Sequence, residues 1–160
     1  MARLYIVRHG NTFDRGEIVR RVGGRTDLPL SQSGQAQAQA LAKAFAPIRF
    51  DHALVSPLRR TRLTAEAILS AQQHPPEMEF TESLIEIDYG PDEGQAEDKV
   101  VARIGEDAIH AWDRDAIVPD GWIVDPQAVR NGWRTLLQNL KGTVLIVTSN
   151  GVARFLLDIA

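Results

Sequence analysis

His9 stands between Arg8 and Gly10 in the stretch VRHGNT, residues 7–12, directly after a short apolar run. A neutral imidazole keeps one ring nitrogen with a free lone pair near pH 7, so it can attack phosphorus in line. The other ring nitrogen must give its proton to a fixed acceptor, and a backbone carbonyl in the turn after His9 would serve. Gly10 lets that turn be tight. Arg8, and Arg60 and Arg62 in the run LRRTR, offer planar forks of donors that stay charged at neutral pH. Two guanidinium groups and an imidazole at one rim suit phosphate chemistry. Taken singly, each has a plainer reading: a histidine in a turn is usually structural, and arginines on a helix usually face solvent. Their placement at the ends of predicted strands is what singles them out.

The elements that would position them follow from pattern. Residues 4–7, LYIV, are apolar throughout, which predicts a strand covered on both faces. A loop with Arg15, Arg20, Arg21 and Arg25 follows. Ser31 or Ser33 suits a helix N-cap before an alanine-rich run that Pro47 stops. HALVSP, residues 52–57, predicts a second strand, and LRRTRLTAEAILSAQ a helix closed by HPP at 74–76. The stretch 78–94 is irregular, with room for one edge strand. Residues 96–114 predict one helix with Val100, Val101, Ile104, Ala108 and Trp112 near one face, and 126–140 predict another. TVLIVTS is the third clear strand, and GVARFLLDI starts a last helix. Strands alternating with helices argue for an α/β layered domain with a mostly parallel sheet. In such sheets, sites form beyond the carboxyl ends of the strands. Those ends deliver Arg8 and His9, then Ser56 through Arg62, then Ser149 and Asn150.

The totals narrow the classes. A chain of 160 residues, 44% apolar and 24% charged, suits a single soluble domain. A net charge of −3 gives no whole-molecule reason to expect nucleic acid. The absence of cysteine excludes disulfides, thiolate metal sites and a cysteine nucleophile. No His/Asp cluster has metal-ligand spacing, so neither metal nor cofactor is expected. No stretch approaches ~20 apolar residues, and LYIV is too short for a secretory leader, so no membrane association is expected and a cytoplasmic protein is.

With these residues in place, VRHGNT resembles the signature of the histidine phosphatase superfamily, also called phosphoglycerate mutase-like. GRTDLPLSQSGQAQAQAL (24–41) resembles that family's segment after the first loop. SPLRRTRLTAE (56–66) resembles its SPLxRxxxTA block, LIEIDYGPDEG (84–94) its LxExxxGxxEG block, and VLIVTSNGVAR (144–154) its VLVVSHGGxIR block. The blocks occur in the family's order and span nearly the whole chain. The resemblance implies a three-layer α/β/α sandwich with a mostly parallel central sheet, formed as one domain over residues 1–160. The family usually continues with further elements, whereas nine residues follow Gly151 here, so C-terminal elements are expected to be trimmed or absent.

Carried over residue by residue, the resemblance implies that His9 becomes phosphohistidine and that Arg8 and Arg60 clamp the phosphoryl oxygens. Glu86 would protonate the leaving oxygen and then activate water, and Thr12 would support the pocket. Asn11, Arg15 and Arg25 would face the substrate from the first loop. A carboxyl group near a dianionic phosphate should have a raised pKa and can donate near neutrality. The plainer reading of Glu86 is a loop carboxylate among Glu82, Asp88, Asp92 and Glu93. Arg62 competes with Arg60, since residues two apart on a helix face different ways.

Asn150 is read as standing where the family carries its second histidine. Asparagine keeps a donor but cannot be charged, and losing a well-placed donor typically costs about 10²–10³ in rate. Three readings stay open: Asn150 donates in a slower enzyme, a first-loop arginine supplies the charge, or the site binds a phosphorylated ligand without turnover. Asn150 also suits a helix N-cap, a place that favours anions. Arg15 and Gly23 replace an asparagine and a glutamine common in the family. The more cationic loop implies a substrate with additional negative charge. His52, His74 and His110 are read as structural or surface residues, and Trp112 and Trp133 as core. The expected function is a metal-independent phosphomonoesterase acting through phosphohistidine on a small phosphorylated metabolite. The alternatives are a phosphoglycerate mutase-type phosphotransferase and a weak phospho-ligand-binding module. Nothing in the sequence specifies an oligomer.

Overall fold

A computed structural model describes residues 1–159. In chain order it forms β1 (Ala2–Arg8), α1 (Gln32–Phe45), β2 (His52–Val55), α2 (Arg59–Ser70) and β3 (Met78–Phe80). Then come α3 (Glu97–Ile104), α4 (Glu106–Asp115), α5 (Pro126–Gln138), β4 (Gly142–Thr148) and the short α6 (Asn150–Ala153). The four strands make one parallel sheet in the order β1-β4-β2-β3.

Continuous apolar strands need cover on both faces, and they have it. Val7, Val55, Leu145 and Val147 pack with Ala65 and Ile68 of α2 in one cluster. Leu54, Val144, Ile146, Trp112, Trp133 and Phe155 form the other, and Leu4 and Ile6 pack against it. Odd residues of β1 and β4 therefore face α2, and even residues face α4 and α5. The result is helices on both sides of a parallel sheet, with the carboxyl ends of β1, β4 and β2 at one edge.

Several local expectations hold and two need correction. Ser31 caps α1, its hydroxyl accepting from the Gly34 N–H at 3.2 Å. The edge strand is β3, at the margin of the sheet. The single helix read over 96–114 is two, broken at Gly105, whose φ of 84° suits glycine and interrupts the helical path. Acidic residues open each half, Glu97 and Asp98 then Glu106 and Asp107, which favours a fresh helix start. The last helix is also shorter than expected, since α6 gives way to 3₁₀ turns over Arg154–Asp158.

Candidate active site

His9 continues the β1–β4 ladder past its last regular pair, Arg8 with Thr148. Its N–H donates to the Thr148 carbonyl at 3.1 Å, which in a parallel ladder makes Ser149 its neighbour. The half-buried ring donates from Nδ1 to the Gly10 carbonyl at 2.7 Å, leaving the Nε2 lone pair free. Burial lowers its pKa to about 4, and the charges of Arg60 and Arg8 act in the same direction against the Gly10 bond. The ring is therefore neutral at pH 7. Gly10 itself lies flat on Gly34, where a Cβ would overlap the Gly34 carbonyl, and its N–H donates to Thr64 Oγ1 at 3.1 Å.

Glu86 is 8% exposed. Its Oε1 accepts from the Ile87 N–H at 2.9 Å and its Oε2 from the Gly151 N–H at 3.2 Å. Burial pushes its pKa up, and these two bonds with the Arg60 and Arg8 charges offset only part of that. A carboxyl in this position holds a proton above the usual carboxylate range.

Arg8, His9, Glu86, Asn150, Thr12 and Asn11 share the wall of one cavity of about 480 Å³. Other predicted residues lie elsewhere. Arg60 is fully buried behind this wall, donating from Nη1 to the Thr26 carbonyl at 2.6 Å and from Nη2 to the Gly23 carbonyl at 3.1 Å. It reaches His9 and Glu86 with its charge, and its Nε has no partner among the described residues. Arg62 and the exposed Arg15 are not on the wall. Arg25 turns to Asp88 Oδ2 and the Gly90 carbonyl, both at 2.9 Å, and so fastens the first loop instead of facing the cavity. The wall's extra cations are Arg20, Arg21 and Arg154. Arg21 pairs with Glu97, and Arg154 lies 4.9 Å over the Trp112 ring. Arg20 and Arg21 were visible as members of an arginine-rich loop, but spacing alone does not say which of its arginines turn inward. Trp112 is core, 3% exposed, and also meets the cavity.

Asn150 is exposed on the cavity wall as the first residue of α6, and the N-cap position belongs to Ser149. The residue beside His9 is Ser149, fully buried at the end of β4, with an Oγ that lacks a partner among the described residues.

Comparison with known proteins agrees with this architecture. The model of the "Histidine phosphatase superfamily (branch 1)" matches residues 4–160. A 2,3-bisphosphoglycerate-dependent phosphoglycerate mutase 2 from Gloeobacter violaceus is 34% identical over 116 residues, 71% of this chain and 52% of that protein. A protein named probable 2-carboxy-D-arabinitol-1-phosphatase from Arabidopsis thaliana is 30% identical over 167 residues, 99% of this chain and 33% of that one. The chain thus spans about half and about a third of these two relatives. The crystal structure of an alpha-ribazole phosphatase from Shigella flexneri superposes with a TM-score of 0.74 at 27% identity, covering 96% of this chain and 77% of that one. A parallel sheet that brings an imidazole, a buried carboxyl and an arginine to one cavity, together with a family match over nearly every residue, makes this chain a member of the histidine phosphatase superfamily.

Proposed function

We propose that this chain is a metal-independent phosphomonoesterase that works through phosphohistidine on a small phosphorylated metabolite. The observation that carries this reading is the His9–Gly10 hydrogen bond, which fixes the tautomer and leaves Nε2 free in the cavity that Glu86 also lines. Nε2 attacks phosphorus, and the bond from phosphorus to the ester oxygen breaks with its electron pair on oxygen. The Glu86 carboxyl gives that oxygen its proton, because an alkoxide is a poor leaving group. Arg8 and the donor of Asn150 meet the phosphoryl oxygens, Thr12 and Asn11 line the pocket beside them, and Arg60 adds positive charge from behind the wall. Water then attacks phosphorus, Glu86 takes its proton, and the Nε2–phosphorus bond breaks to release phosphate and neutral His9.

Set letter against letter, residues 144–154 and the block VLVVSHGGxIR place Ser149, not Asn150, at the family's second histidine. Ser149 cannot carry charge, which favours a second reading, a slow or non-hydrolysing phospho-ligand-binding module. Hydrolysis of p-nitrophenyl phosphate decides between them. Turnover abolished by His9→Ala supports the enzyme, and acid quenching should preserve no phosphoryl group where base quenching traps one. Turnover indifferent to His9→Ala removes His9 from the mechanism.

A further inference from the structure

The buried guanidinium of Arg60 makes no ion pair within 4.0 Å among the described residues; its Nη groups are held by the carbonyls of Gly23 and Thr26. What holds those carbonyls is on the other side of the loop. The Glu93 carboxylate accepts from the Gly23 N–H at 3.2 Å, from the Arg25 N–H at 3.5 Å and from the Thr26 hydroxyl. It also accepts from the Tyr89 N–H at 3.3 Å, which ties the loop to the segment carrying Glu86. The same two residues therefore face an acid with their donors and a base with their acceptors. Gly23 makes this approach feasible, since a Cβ there would overlap Glu93 Oε1. The glycine that departs from the family's usual glutamine thus has a local reason.

We propose that Glu93 is the positioning residue for Arg60: by fixing the backbone of residues 23–26 it holds the guanidinium where its charge reaches His9 and Glu86. The consequence for phosphate rests on the function proposed above. The structural part does not, because it concerns where one charge sits.

The test uses the full chain with Glu93→Gln, Arg60→Met and the double variant. Binding of inorganic phosphate by calorimetry should weaken about tenfold in Glu93→Gln, and the double variant should be no weaker than Arg60→Met within about twofold, as expected for groups acting in series. In a ligand-free arm, the His9 ring titration is followed by NMR. It should rise only partly from about 4 in Glu93→Gln, because burial still holds it down, and the double variant should titrate as Arg60→Met does. Additive losses, or an unmoved His9 titration in a folded Glu93→Gln protein, overturn the proposal. Should that variant not fold, Thr26→Val removes the hydroxyl that Glu93 accepts from and should give the same pattern more weakly, whereas no change in either arm would overturn the proposal. A wild-type protein that neither binds nor hydrolyses phosphate esters would end the phosphatase reading, while the NMR arm still decides the role of Glu93.

Discussion

His9 and Ser149 are neighbours across the seam between the first and last strands, linked through the His9 N–H and the Thr148 carbonyl at 3.1 Å. Both are odd-numbered continuations of strands whose odd residues face α2, so their side chains leave the sheet on one side. A hydroxyl without a partner beside the candidate nucleophile is where a longer, chargeable donor would reach a transferring phosphoryl group.

Ser149→His should therefore raise kcat for p-nitrophenyl phosphate by about tenfold or more, the range one charge-stabilising donor commands. The site is fully packed, so the larger ring should also lower stability by about 1–3 kcal/mol. Steady-state kinetics beside thermal melts test both. A folded variant with unchanged kcat shows that this place no longer serves catalysis.

The pH dependence follows from two groups with opposite demands. As the proposed nucleophile His9 must be neutral, and burial holds its pKa near 4, so kcat/KM should fall only as pH drops toward that value. In the proposed mechanism Glu86 is protonated in the first step, and burial raises its pKa, so activity should decline on the alkaline side as that proton is lost. For stability, the unfolded chain binds the His9 proton near 6.5 and the folded one near 4. Below 6.5 the unfolded state thus holds more protons, and up to about 3 kcal/mol is lost as pH falls through that window. Urea midpoints at pH 7 and pH 4.5, compared with those of His9→Ala, measure it; equal losses in both proteins would remove His9 as the source.

Gly151→Ala should disable Glu86 with little effect on the fold. A Cβ there would overlap the Glu86 carboxylate, which the Gly151 N–H also holds. A fall of about 10²-fold in kcat is expected for a displaced general acid, and an aryl ester with a better leaving group should lose less than an alkyl one. Equal losses on the two esters would point away from proton donation by Glu86.

The segment bearing Glu86 and Glu93 is anchored by Asp92, 2% exposed. Its carboxylate accepts from Arg103 Nε at 2.7 Å and Nη2 at 2.5 Å, and from Trp122 Nε1 at 2.8 Å. Asp92→Ala leaves the buried indole N–H unsatisfied and should cost about 2–4 kcal/mol. Chemical denaturation reads this directly, and a loss under 1 kcal/mol would show that water reaches Trp122.

The strands, the order of elements and the acceptor for the His9 ring were all legible in the sequence, because each depends on local pattern. Arg15 and Arg25 were not, since a loop arginine's direction is set by partners such as Asp88 that lie far along the chain. Gly105 was missed because the apolar spacing runs unbroken across it, while its positive φ is a matter of backbone path. Ser149 and Asn150 differ by one residue, yet at the end of a strand one residue exchanges a fully buried position beside His9 for an exposed place on the cavity wall.

The pairing of Ala2 with Gly142, and of each residue onward to Arg8 with Thr148, means that the cleft is closed by two strands about 140 residues apart along the chain. During synthesis β1 emerges long before β4, and its apolar residues lack that neighbour until β4 has been made. Such long-distance closure is also slow, and it leaves LYIV, residues 4–7, in need of shelter until β4 is in place.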